Sequence, residues 1–99
     1  MKHNLDLSNT KYSEETLEKY INSFSGWDWY YISYCQVLSE KFIEKHSDKL
    51  NWYEISFYQK LSEEFMKKHI DKIDIGCLTE NKNISEKIKQ EIQTLKEII

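Results

Sequence analysis

Apolar residues along this chain recur at helical and not at strand spacing. Phe42, Ile43, His46 and Leu50 fall at i, i+1, i+4 and i+8, while Glu40, Lys41, Glu44, Lys45 and Lys49 occupy the opposite side. Start signals accompany the pattern. Asn51 precedes Trp52-Tyr53-Glu54, with the acid placed to reach back as in a capping box and Leu50 and Ile55 placed as a hydrophobic staple, which predicts a short helix over about 52–59. Ser62 precedes Glu63-Glu64-Phe65-Met66, with acids in the first turn favoured by the helix dipole, which predicts a second helix over about 63–72. The same signals stand at Ser13, Asp28, Ser39 and Ser85. No stretch alternates as a strand would, so the expected fold class is all-α.

The pattern repeats. Residues 29–51 and 52–74 align without a gap at a period of 23: Trp29 with Trp52, Ile32-Ser33 with Ile55-Ser56, Gln36 with Gln59, Leu38-Ser39-Glu40 with Leu61-Ser62-Glu63, Phe42 with Phe65 and His46 with His69. Residues 75–99 carry a degraded copy with Ile75 in place of Trp and Lys82 in place of Gln. Residues 12–24 match the second half of the unit, and three extra residues then precede Asp28. The expectation is one helical-repeat domain over 1–99, with 1–11 as a flexible arm, a half unit over 12–28, units at 29–51 and 52–74, and an end unit at 75–99. Each unit should form a short antiparallel helix pair, the pairs stacking into a compact bundle whose atypical end copies act as caps.

Comparing the copies separates core from surface. Trp29/Trp52/Ile75, Ile32/Ile55/Leu78, Leu38/Leu61/Ile84 and Phe42/Phe65/Ile88 remain apolar in every copy and are expected to pack. Tyr31/Glu54/Cys77, Tyr34/Phe57/Glu80 and Cys35/Tyr58/Asn81 change character and are expected to meet water. The run WDWYYISY, residues 27–34, therefore divides. Trp29 and Ile32 belong to the core, whereas Trp27, Tyr30, Tyr31 and Tyr34, with Glu54 as the acidic counterpart of Tyr31, form a candidate partner-binding surface, because Trp and Tyr dominate interface hot spots. Trp27 lies in the three-residue insertion; the competing role for its ring is to plug the joint after the first helix.

Composition narrows the function. All 14 basic residues are Lys, and 17 acids leave a net charge of −3. Without Arg the bidentate reading of bases and phosphates is lost, and neither half of the chain is basic enough to follow a phosphate backbone. Single-stranded nucleic acid, with Trp27, Tyr31 and Tyr34 stacking on bases and Lys41, Lys45, Lys67 and Lys68 meeting phosphates, is thus the alternative and not the leading expectation. No run is long and apolar enough for a signal peptide or a membrane span, which predicts a cytoplasmic protein without a membrane partner. Cys35 and Cys77 lack CxxC spacing and read as reduced thiols. His46 and His69 are separated by the repeat period, and Tyr20 and Ile92 occupy the same position in the outer copies, so the position asks for bulk and no metal site is expected. Ser39, Ser62 and Ser85 are helix caps. With no phosphate loop, HExxH or nucleophile elbow, the sequence predicts no enzyme and no cofactor.

The unit W-x-x-I-S-x-x-Q-x-L-S-E-x-F-[IM]-x-x-H resembles short helical repeat tracts of uncharacterised phage, giant-virus and AT-rich bacterial proteins, over roughly residues 12–92. The resemblance implies a helical scaffold of viral or mobile-element type and supplies no catalytic residues. Together with the Lys-, Ile- and Asn-rich composition of an AT-rich genome, it leads to a non-enzymatic protein-binding module. The version with most biological content is an inhibitor of a host defence factor, such as an anti-CRISPR protein acting on a defence nuclease complex in the host cytoplasm. A purely structural repeat module is the third alternative. Ile98 and Ile99, at the end of an amphipathic terminal helix, provide a route to a homodimer.

Overall fold

The serines that precede each acidic turn cap the helices they predict. In the computed structural model, which describes residues 2–99, α1 (Glu14–Lys19) starts where Ser13 Oγ accepts from Thr16 N, α3 (Glu40–Lys45) where Ser39 Oγ accepts from Phe42 N, and α5 (Glu63–Lys68) where Ser62 Oγ accepts from Phe65 N. α7 (Glu86–Ile98) starts at Ser85 in the same way, and α6 (Ile75–Leu78) is capped by Asp74. α4 spans Trp52–Tyr58. Among the described residues there are seven α-helices, one 3-10 turn at Ile21–Ser23 and no strand, so the protein is all-α.

Three boundaries differ from the sequence expectation. α2 (Gly26–Cys35) begins before Asp28: Ser25 is the N-cap, its Oγ accepting from Asp28 N at 3.3 Å while Asp28 Oδ2 accepts from Ser25 N at 2.8 Å. Asp28 is therefore the reciprocal member of a capping box and not the cap itself, and the three inserted residues are one more turn of helix. α5 stops at Lys68 instead of running to 72. His69 caps it, donating its backbone N–H to Phe65 O, and the chain then turns, with Lys72 N and Ile73 N both donating to His69 O. The 1–11 segment is the third difference. Residues 2–11 are not a free arm: Leu7 is buried, Gln36 Nε2 donates to Leu7 O at 2.8 Å and Thr10 O at 2.7 Å, and Asp6 N donates to Tyr12 Oη. A buried leucine and satisfied carbonyls hold a strap that has no secondary structure of its own. Met1 lies outside the described residues.

The chain divides into two compact units, one ending at Asn51 and one beginning at Trp52. This division coincides with the joint between the 29–51 and 52–74 copies. In the first unit, Leu17, Trp29, Ile32, Leu38, Phe42, Ile43 and Leu50 are buried together with Leu7. A file of rings runs through it: His3 meets Phe24 edge-on at 5.1 Å, Phe24 meets Trp29 at 5.6 Å, Trp29 lies 5.6 Å from His46, and His46 lies 4.7 Å from Phe42. Within the second unit α4 packs with α6 and α5 with α7. Its core holds Ile55, Leu61, Phe65, Met66, Ile73, Leu78, Ile84 and Ile92. Trp52, Phe65 and His69 form its ring cluster, with centroids 4.5–6.4 Å apart.

Four positions expected to be apolar core or exposed behave otherwise. Trp52, Ile75 and Ile88 are only half-buried. An indole is large enough to be packed on one side and wet on the other, and a four-residue α6 gives Ile75 a single turn of cover. Asn81, expected to meet water, is fully buried. Its Nδ2 donates to Ser56 O at 2.8 Å and Gln59 O at 2.9 Å, and its Oδ1 accepts from Asn83 N at 2.8 Å. A carboxamide with three bonds can be buried without leaving a polar atom unpaired.

Candidate functional site

The extra turn that Ser25 caps determines where the aromatic residues go. With α2 starting at Gly26, positions 27, 30, 31 and 34 stand at i, i+3, i+4 and i+7 and share one face, while Trp29, Ile32, Ser33 and Gln36 are buried on the other. Trp27 is 72% exposed, Tyr34 is 40% exposed, and Tyr30 and Tyr31 are half-buried. Exposure of this order rules out the plugging role for Trp27.

The four rings touch one another. Trp27 meets Tyr30 edge-to-face with centroids 5.8 Å apart and lies 6.4 Å from Tyr31; Tyr30 meets Tyr31 at 5.4 Å and Tyr34 at 6.1 Å, both edge-on. These are the contact separations of aromatic pairs, so the rings brace each other. What the cluster offers is its outer surface. Val37, just beyond the helix end and 76% exposed, extends the apolar surface of the first unit; sequence comparison did not single it out.

Electrostatics at the root of the cluster come from Asp28. Burial pushes its carboxyl up, but the Ser25 backbone N–H and the His3 ring outweigh that and hold it below the ordinary carboxylate value. α2 carries no basic residue in its last turn, and Asp28 is the acid in its first. Glu54, the remaining candidate, belongs to the second unit. It lies half-buried on α4, with burial pushing its carboxyl above the ordinary value. The structure thus gathers Trp27, Tyr30, Tyr31 and Tyr34 on one helix and places Glu54 in the other unit.

Residues weighed for chemistry are occupied structurally. His46 Nε2 lies 2.6 Å from Glu18 Oε1, and the ring packs on Trp29 and Phe42. Cys35 and Cys77 are both free thiols. Burial first, and then the Asp74 carboxylate, push the Cys77 thiol up to about 11, so its thiolate is scarce at neutral pH. Ser33, fully buried, donates its hydroxyl to Trp29 O at 2.8 Å and accepts from Asn51 N at 2.9 Å.

No described helix is long and apolar enough to cross a membrane. The class shown is an all-helical protein of two compact units. Comparison with protein-family models, curated proteins and solved structures finds no match for this chain.

Proposed function

We propose that this protein is a non-enzymatic protein-binding module, and that the aromatic face of α2 is its contact surface. The observation that carries this reading is an indole 72% exposed at the head of four mutually braced rings on one helix. Holding large side chains in position before binding lowers the entropy lost on association, and exposed Trp and Tyr are the usual anchors of protein interfaces. Nucleic acid is the weaker reading because all 14 basic residues are Lys, the net charge is −3 and α2 itself carries no basic residue. The resemblance and the AT-rich composition favour a host protein as partner, bound in the cytoplasm by an inhibitor of phage or viral type.

The scaffold under this surface is a repeat of helix pairs with a period of 23. Two local features support that architecture. Ser33 Oγ accepts from Asn51 N in the first unit, and Ser56 Oγ accepts from Asp74 N at 3.0 Å in the second. Trp29, Phe42 and His46 form one ring cluster, and Trp52, Phe65 and His69 form the other. In the end copy, Lys89 Nζ donates to Thr79 O and Lys96 Nζ to Ile73 O, so lysines close carbonyls there, as a cap would.

The test is affinity capture from nuclease-treated lysate with wild type and a Trp27→Ala, Tyr31→Ala variant, after circular dichroism has shown both to be folded. One protein retained by the wild type and lost by the variant is the expected result. Equal retention by both would remove the site from α2. Tryptophan quenching by a single-stranded oligonucleotide that weakens steeply with salt would replace the protein-binding reading with the nucleic-acid one.

A further inference from the structure

The strap of residues 2–11 ends in an imidazole whose two nitrogens do different work. Leu5 N donates to His3 Nδ1 at 3.0 Å, so Nδ1 must present a lone pair. The proton of the neutral ring is then on Nε2, which lies 2.9 Å from Asp28 Oδ2 and donates to it. The same Oδ2 accepts from Ser25 N and closes the capping box of α2. His3 is 10% exposed at its side chain and rests edge-on against Phe24, which in turn meets Trp29. One ring thus ties the strap to the helix turn that carries Trp27.

We propose that His3 is a pH-sensitive joint which, on taking a second proton, lets go of the strap at Leu5 while keeping its hold on α2. The added proton comes from solvent and can go only to Nδ1, which becomes a donor facing the Leu5 N–H. Two donors cannot share a bond, so the Leu5 contact is lost, whereas Nε2–H to Asp28 becomes a charge-assisted pair. The groups around the ring fit this division. Asp28 of α2 is the charged group in contact with it, and Phe24 from the turn before α2 is uncharged. On the strap itself Lys2 is exposed, and the Asp6 carboxylate accepts from Ser8 Oγ and Asn9 Nδ2. Residues 4 and 5 are the part released, because Asp6 N is held by Tyr12 Oη, and beyond it Leu7 is buried and Gln36 holds the Leu7 and Thr10 carbonyls.

Nuclear magnetic resonance of the nitrogen-15-labelled protein, followed as the pH is lowered until the His3 ring takes its second proton, is the test. At the upper pH the His3 ring should show the Nε2–H tautomer. As the ring titrates, the Leu5 amide should shift with the same midpoint, and its hydrogen-exchange protection should fall by up to about tenfold, while Asp28 and Ser25 amides keep theirs. His3→Gln should abolish the pH response at Leu5. An Nδ1–H tautomer at the upper pH, a Leu5 amide that ignores the titration of His3, or an unchanged response in His3→Gln would each overturn the proposal.

Discussion

Trp27 and Trp29 are two residues apart on one helix and face opposite ways, and this difference sets what each should contribute. Trp29 is buried between Phe24 and His46, so Trp29→Ala should cost about 3–5 kcal/mol and leave a domain this small largely unfolded. Trp52, its counterpart, is half-buried, and Trp52→Ala should cost measurably less. Trp27→Ala should stay within about 0.5 kcal/mol of wild type, as surface substitutions do. Thermal melts of the three variants should rank them Trp29, Trp52, Trp27 in order of damage. The sequence distinguished Trp27 from Trp29 because only one of them has partners at the repeat period. It could not distinguish Trp29 from Trp52, since exposure depends on which neighbours cover each ring, and Phe24, which meets Trp29, lies outside the repeated unit.

At the scale of elements, buried carboxamides tie irregular segments to helices. Gln36 Oε1 accepts from Tyr12 N at 2.9 Å while its Nε2 holds two strap carbonyls, and Asn81 does the equivalent for the end of α4. Gln36→Leu should cost about 1–3 kcal/mol, the penalty for leaving buried backbone groups unpaired, and should lower hydrogen-exchange protection across residues 7–12 before it affects α2. Protection lost equally over the first unit would instead make Gln36 a general core residue. The caps were legible in advance because a serine or aspartate three residues before an acid or a core position is a local signal. Ser25 carries that signal too, in Ser25-Gly26-Trp27-Asp28, but the 23-residue alignment drew the helix start to Asp28. The burial of Asn81 was hidden for a related reason. Its amide does the work from one position before Lys82, the residue that stands where the earlier copies have Gln, and only the path of the turn reveals the substitution.

For the molecule as a whole, acid should be the destabilising direction. Glu18 is held below its ordinary 4.5 first by the hydrogen bond from His46 and then, against some burial, by Lys45. Asp28 and Asp74 are held below their ordinary 3.8, the latter first by the backbone N–H of Cys77. A carboxyl whose folded value is depressed contributes its full stability above the unfolded value and loses it as pH falls through the folded one. The contribution of these three carboxyls to melting temperature should therefore be lost as pH falls below about 4.5, and Glu18→Gln should make that loss shallower. A fall of the same steepness in the variant would mean that other carboxylates carry the acid sensitivity.

The sequence alone determined that the protein is helical, where most helices begin, and that Trp29, Ile32, Ile55, Leu38, Leu61, Phe42, Phe65, Leu78 and Ile84 form core, because periodicity and capping are local properties of a few neighbouring residues. Tertiary structure decided the rest. It turned an apparent insertion into a turn of helix and placed four aromatic rings on one face at contact distance. It also drew residues 2–11 onto the first unit through Leu7, His3 and the Gln36 amide. Only the last of these depends on partners more than 20 residues away in the chain, a span that leaves no mark in the local pattern, whereas the helix turn and the shared ring face rest on contacts between near neighbours in sequence.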